Sequence, residues 1–151
     1  MTATDFASGP SMEVARKLVG GPVRSVSRMS GGRNSRVYRV DAGGQFFVLK
    51  QYPRREDDPR DRLGVEAGAL KWMGEQGVVA VPRLVATDRE SNSALLTWAD
   101  GSLVRDVRAS DVDQAVEFLG ELHRLRETAT FPTSHLAAEA CLSIFAIRAR
   151  R

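Results

Sequence analysis

A glycine-rich turn connects two predicted strands in the sequence Ser30-Gly31-Gly32-Arg33-Asn34-Ser35. Glycine lets backbone amides approach a ligand with no side chain in the way, so Gly31, Gly32, Arg33, Asn34 and Ser35 can surround phosphate oxygens. A tight hairpin can also be rich in glycine for reasons of turn geometry alone. The turn therefore indicates either an anion site or an ordinary hairpin.

A lysine ends the apolar run Phe46-Phe47-Val48-Leu49. Because side chains alternate along a strand, Lys50 is expected on the same face as Phe46 and Val48. A lysine on such a face requires an anion nearby. The alternative is a lysine at the end of a strand whose stem lies along the protein and whose ammonium reaches water.

A glutamate lies within the apolar stripe of a predicted helix, since Glu66 falls between Leu63 and Leu70 at spacings of three and four residues. A carboxylate on a buried face is costly unless it is paired. An exposed glutamate at the edge of the stripe is the alternative. Lys50 is the nearest candidate partner in sequence, and an ion pair would hold the lysine ready for the phosphates of a nucleotide.

The elements that must position these residues follow from the hydrophobic pattern. Residues 1–10 lack periodicity and predict a mobile leader, and Ser11 can cap a short helix that runs through about Val19. Asp58 as N-cap and Pro59 at the first helical position begin the helix that contains Glu66, which ends at Gly77. Strands are predicted at 23–29, 36–40, 45–51, 78–86 and 94–98, the first three as an antiparallel meander.

Two more helices are predicted after the last strand. Ser110 caps a long helix that ends near Glu127, and a final helix begins near Ser134. The long helix has an apolar stripe made of Val112, Val116, Leu119 and Leu122. The pattern as a whole predicts an α+β fold, in which a five-stranded antiparallel sheet packs against the helix that contains Glu66.

Composition narrows the class of protein. A chain of 151 residues with 42% hydrophobic and 27% charged residues is typical of one globular domain. The 22 basic and 19 acidic residues are interspersed, which argues against nucleic acid as a partner. Cys141 is the only cysteine, which excludes an internal disulfide and suits the cytoplasm. Without a run of 18 apolar residues, we expect neither secretion nor a membrane span.

The glycine turn, the strand lysine and the helix glutamate occur in that order, before a strand that ends in Leu95-Leu96-Thr97-Trp98-Ala99-Asp100-Gly101. This order resembles the aminoglycoside phosphotransferase and choline kinase group, which are relatives of the protein kinases. The resemblance covers roughly residues 22–127 and implies binding of ATP with Mg²⁺. It implies that the turn from Gly31 to Ser35 covers the phosphates, that Lys50 binds the α and β phosphates, that Glu66 orients Lys50, and that Thr97 and Ala99 offer backbone groups to adenine.

The resemblance also implies a division of the chain. Residues 1–21 are the leader and short helix, 22–101 a kinase-like N-terminal lobe with its hinge, and 102–151 the helical start of a second lobe. Family members carry a later loop with His, a catalytic Asp and an Asn, followed by an Asp that holds magnesium. Here no His-x-Asp spacing follows His123, and the last acidic residue is Glu139. We therefore assign no catalytic residue and no metal ligand, and expect a chain that is truncated before the catalytic loop.

Two functions remain open from the sequence. The first is the ATP-binding portion of a phosphotransferase that acts on a hydroxylated small molecule, and the second is a non-catalytic module that binds nucleotide or protein. The final predicted helix is apolar on several sides and ends in three arginines, so we expect self-association or a partner chain there, with a membrane anchor as the alternative. Its residues are Leu136, Cys141, Leu142, Ile144, Phe145, Ile147, Arg148, Arg150 and Arg151.

Overall fold

The computed structural model describes residues 10–29, 35–54, 60–101 and 104–128. In chain order the elements are α1 (Pro10–Val19), β1 (Ser25–Arg28), β2 (Arg36–Asp41), β3 (Phe46–Gln51), α2 (Arg62–Glu75), β4 (Leu84–Asp88), β5 (Ser93–Thr97) and α3 (Ala109–Thr128). Three predictions fall outside the described residues: residues 1–9 of the leader, the turn over 30–34, and the final helix. The predicted leader over 1–10 reaches one residue too far, because α1 begins at Pro10 and Ser11 lies within the helix. The division into lobes stays a prediction.

The strands form one sheet in the order β1-β2-β3-β5-β4, and every neighbouring pair is antiparallel. The predicted α+β class and the meander of β1, β2 and β3 are confirmed. β3 is the central strand, and its Lys50 lies opposite Val37 of β2 and Ala94 of β5. Residues that are directly opposite share a face, so this register defines which side chains surround the lysine.

One face of the sheet, which we call the outer face, is covered by α1. Its core is apolar and includes Val26, Val40, Leu49 and Leu95, each with at most 1% of its surface exposed. Ala15 and Leu18 of α1 pack into the same cluster. Gly20 then ends the helix at a φ of 69°, a conformation that favours glycine.

The opposite face, which we call the inner face, is covered in part by α2. Leu63 and Leu70 of the helix pack with Ala94, Leu96 and Tyr52 in a second cluster. Val48, Ala67 and Met73 pack against that cluster. The alternation of side chains along β3 thus sends Leu49 to the outer core and Lys50 to the inner face, as the sequence predicts.

The start of α2 differs from the sequence prediction. The N-cap is Asp61 and not Asp58, and the helix begins at Arg62. The Asp61 carboxylate accepts the Gly64 N–H at 2.9 Å and also the Arg89 guanidinium at 2.7 Å. This second partner comes from the turn between β4 and β5, so the cap is selected by a contact distant in sequence.

The predicted start of β4 was also wrong. The strand begins at Leu84, and residues 78–83 are not part of it. Gly77 has a φ of 80°, and the Val78 N–H donates to the Met73 carbonyl at 3.0 Å. The backbone at Val78 therefore still completes the end of α2 and cannot join a ladder there. Pro82 further lacks the N–H that a strand needs.

The third helix begins two residues earlier than predicted, at Ala109, and Ser110 is not its cap. The Asp111 carboxylate accepts the Arg108 N–H at 2.8 Å, so an acidic residue in the first turn reaches back to the residue before the helix. The predicted apolar stripe lies on α3, but Val112, Val116 and Leu119 are 52–64% exposed. Among the described helices, none is long and apolar enough to cross a membrane.

Candidate functional site

Lys50 and Glu66 form an ion pair on the inner face. The Lys50 Nζ lies 2.8 Å from Oε1 and 2.6 Å from Oε2 of Glu66, so a single ammonium contacts both carboxylate oxygens. β3 positions the lysine, and α2 positions the glutamate between the buried residues Leu63 and Leu70. This contact excludes the interpretation of Lys50 as an isolated lysine at a strand end and of Glu66 as a solvated glutamate.

The pair is only partly shielded from solvent. The Lys50 side chain is 24% exposed and that of Glu66 is 35% exposed. A charge at this depth keeps a stronger field than a surface charge, because less water screens it. The ammonium is therefore fixed in place by Glu66 and still open to a second anion that approaches along the inner face.

Tyr52 is a member of the site that sequence reasoning missed. Its ring lies 5.2 Å from the Lys50 Nζ, and the residue is 7% exposed. Its hydroxyl makes no hydrogen bond within the described part of the chain. Burial, and then the negative charge of Glu66, raise the pKa of Tyr52 above its usual value, so the phenol keeps its proton. The alternation of side chains along a strand, which places Tyr52 on the same face as Lys50, was the sequence signal that could have identified it.

The turn between β4 and β5 holds α2 in place. Arg89 of this turn contacts the Asp61 cap, and Gly64 sits so close that a Cβ there would clash with the Asp61 carboxylate and lie 2.9 Å from Arg89 Nη2. Position 64 therefore requires glycine because the Asp61 carboxylate and Arg89 approach its backbone closely, and not because of an unusual φ. Asn92 of the same turn accepts the Tyr52 N–H at 2.9 Å. The turn thereby fixes both Tyr52 and the helix that carries Glu66.

An arginine and two aromatic rings lie at the other end of the inner face. The Arg39 guanidinium is 4.0 Å from the Phe46 ring centroid and 5.1 Å from that of Trp98. The Trp98 Nε1–H donates to Asp100 at 2.8 Å. These contacts attach the segment after β5 to the sheet. Sequence reasoning placed Phe46 on this face but did not identify Arg39 or Trp98 as members of the cluster.

The structure brings together some of the predicted site residues. Val48, Lys50 and Glu66 share the inner face, while Thr97 ends β5 and the exposed Ala99 follows it. The Thr97 N–H donates to the Arg83 carbonyl and its hydroxyl accepts the Arg83 N–H, both at 2.9 Å. Ser35 directly precedes β2. Gly31, Gly32, Arg33 and Asn34 lie outside the described residues, and the roles of all these residues stay predictions.

A resident metal does not fit the described residues. No three His, Cys, Asp or Glu side chains of residues 10–29, 35–54, 60–101 and 104–128 come close enough to hold an ion. The carboxylate of Glu66 lies on the inner face, and both of its oxygens contact Lys50. We therefore derive no step through magnesium from this part of the chain.

Comparison with known proteins agrees with the order of motifs. Residues 25–146, which include every described strand and helix except α1, match the model of a family described as the phosphotransferase enzyme family. No curated protein matches the chain. The match covers well over half of the 151 residues, and it confirms the resemblance predicted from the glycine turn, Lys50 and Glu66. The chain belongs to the phosphotransferase enzyme family.

Proposed function

We propose that this chain binds ATP on the inner face of its sheet, as the ATP-binding portion of a phosphotransferase that acts on a hydroxylated small molecule. The observation that carries the proposal is the contact of the Lys50 Nζ with both oxygens of Glu66, at 2.8 and 2.6 Å. A lysine held by a glutamate on a partly buried face is a fixed positive charge. Such a charge is suited to the α and β phosphates of a nucleotide.

The spacing along the strands supports this assignment. Lys50 lies opposite Ala94 of β5, and Thr97 lies three residues further towards the end of that strand. At the rise of a β-strand this separates the lysine from the end of β5 by about 10 Å. That length suits a nucleotide whose phosphates contact Lys50 and whose base reaches the backbone at Thr97 and Ala99. Val48 and Leu96, which lie opposite each other, supply an apolar surface for the base between the two ends.

Calorimetry of the purified full chain with ATP, with and without magnesium, tests the proposal. We expect saturable binding by the wild type and at least a tenfold weaker association for Lys50→Ala, because the substitution removes the charge that faces the phosphates. Lys71→Ala is the matched control. Lys71 lies on the same helix as Glu66, is 71% exposed and pairs with Glu75 at 3.9 Å. Its binding should equal that of the wild type.

Two results would contradict the proposal. A folded wild-type chain that does not bind ATP would exclude it. Equal binding by wild type and Lys50→Ala would show that ATP associates elsewhere. Transfer to an acceptor further requires a group that takes the proton of the acceptor hydroxyl, and we assign that role to none of the described residues. The proposal is thus confined to nucleotide binding within a cytoplasmic phosphotransferase.

A further inference from the structure

The apolar stripe of α3 has no cover within the described part of the chain. Val112, Val116 and Leu119 are 52%, 61% and 64% exposed, and spacings of four and three residues place them on one side of the helix. α1 and α2 contribute to the two apolar clusters of the domain, whereas α3 contributes to neither. An exposed apolar stripe on a helix is typical of an interface.

The charges along α3 indicate what kind of surface fits this stripe. The first half of the helix, residues 109–118, contains Asp111, Asp113 and Glu117 and no basic residue, whereas Arg124 lies in the second half. Asp113 and Arg124 are eleven residues apart, which is about three helical turns, so they lie on the same flank of the stripe. Both are exposed. A partner that suits this helix is apolar along its centre and carries the opposite order of charges.

α3 itself, turned end for end, has those properties. An antiparallel pair of α3 helices with Val116 opposite Leu119 of the second copy brings this apolar contact together twice, on either side of a twofold axis. In this register Asp113 lies opposite residue 122 of the second copy, and Arg124 of that copy is about 3 Å further along the helix. A parallel pair would instead place one acidic half beside the other.

We propose that a second copy of this chain binds the apolar stripe of α3, in an antiparallel pair of α3 helices with Asp113 of each copy beside Arg124 of the other. The same residues serve on both copies, as a twofold interface requires. Each copy contributes a single helix, so the interface is small, and we expect a dissociation constant in the micromolar range. The surface is distinct from the inner face on which we propose that ATP binds.

The first test measures the self-association of the full chain by sedimentation equilibrium. Leu119→Glu should raise the dissociation constant of the dimer at least tenfold, because it places two carboxylates in the apolar centre. Val79→Glu is the matched control, since Val79 is 83% exposed and lies outside α3, and it should associate like the wild type. Circular dichroism confirms that each variant keeps its helices.

Two results of this experiment would overturn the proposal. One is a wild-type chain that stays monomeric up to millimolar concentration. The other is a dimer that Leu119→Glu leaves intact, which would mean that the copies associate through another surface.

The second test addresses the charges. Asp113→Arg and Arg124→Asp should each weaken the dimer about fivefold, because the pair occurs twice and each change sets like charges together. Combining the two substitutions exchanges the charges and should restore the wild-type dissociation constant. Acidic residues early in a helix and basic residues late in it also suit the helix dipole. If the charges served only the dipole, the double variant would be the least stable of the three and would regain no association.

The direction of the helices is tested by cross-linking in the Cys141→Ala background, which removes the one natural cysteine. In the proposed register the two copies of residue 116 are about 4.5 Å apart along the helix axis, and those of residue 112 about 16 Å. A short bismaleimide should therefore link Val116→Cys and leave Val112→Cys unlinked. Equal linking of both variants would indicate a parallel pair and contradict the proposal. None of these measurements uses ATP, so their failure leaves the proposed function standing.

Discussion

The two faces of the sheet are built from the same strands and differ in chemistry. The outer face, under α1, buries Val26, Val40, Leu49 and Leu95 almost completely and forms the larger apolar cluster. The inner face, under α2, holds the Lys50–Glu66 pair, which is a quarter to a third exposed. Neighbouring residues of one strand thus belong to surfaces with opposite properties.

The contrast between the two faces indicates which of them contributes most to the stability of this domain. Burial of apolar surface stabilises a fold in proportion to the area removed from water, so the outer face should contribute most of the stability. A charged pair that remains partly exposed contributes little. The inner face can therefore carry charges and an unpaired hydroxyl because the outer face already stabilises the sheet. Three pairs of substitutions, each a change with its control, test this comparison.

The largest effect is expected for Leu49→Ala. Leu49 is fully buried in the outer core, and removing its methyl groups should lower the free energy of unfolding by about 2–5 kcal/mol. Val48→Ala changes the adjacent, half-buried residue on the inner face and should cost clearly less. Urea denaturation measures both values. Equal losses would mean that the two faces contribute equally and that the comparison is wrong.

An intermediate effect on the free energy of unfolding is expected for two glycines of α2, and we expect it to have opposite signs for Gly64→Ala and Gly68→Ala. Gly64→Ala places a Cβ against the Asp61 carboxylate and Arg89, so it should lower the free energy of unfolding by about 1 kcal/mol through loss of the cap. Gly68→Ala is the matched control, because nothing lies within 4 Å of its added Cβ.

Gly68→Ala should raise stability by up to about 1 kcal/mol, the usual preference for alanine inside a helix. Gly64→Ala should also weaken ATP binding, since the cap fixes the helix that carries Glu66. Thermal unfolding and calorimetry of both variants check these expectations. Stabilisation by both alanines would show that the contact of Asp61 with Arg89 does not fix the start of α2.

The smallest effect concerns the attachment of α1 to the turn between β4 and β5. The Lys17 Nζ lies 3.0 Å from Asp88 and 3.2 Å from Glu90. Hydrogen bonds from Ser91, and then from Lys17, hold the pKa of Asp88 below its ordinary value of 3.8. A carboxyl whose pKa is lowered by folding contributes stability above its unfolded pKa and loses that contribution as the pH falls through its folded pKa.

Asp88→Asn should therefore lower the melting temperature slightly at neutral pH, and the difference from wild type should vanish as the pH falls well below 3.8. Circular dichroism across this range measures it. Asp113→Asn, an exposed change on α3, is the control and should track the wild type throughout. A constant difference between Asp88→Asn and wild type at all pH values would indicate that Asp88 acts through its shape and not its charge.

Much of the fold could be predicted because it depends on local patterns. Period-two alternation placed β1, β2, β3 and β5, and helical spacing placed α1, α2 and α3. The boundaries that failed have two kinds of cause. Arg89, which is distant in sequence, contacts Asp61 and favours it as the cap of α2, and no local signal encodes that contact. The starts of β4 and α3 depend on local contacts instead, at Gly77 and Val78 after α2 and between Arg108 and Asp111, so strand and helix periodicity alone did not locate them.

The candidate site was likewise predictable from the sequence only in part. The periods of strand and helix were enough to predict that Lys50 shares a face with Val48 and that Glu66 falls within the apolar stripe of its helix. The position of Tyr52 beside the pair and the contacts of Arg39 with the Phe46 and Trp98 rings depend on tertiary packing. Those contacts join segments from different elements. Their distances depend on how the helix and strands pack, which a linear pattern does not contain.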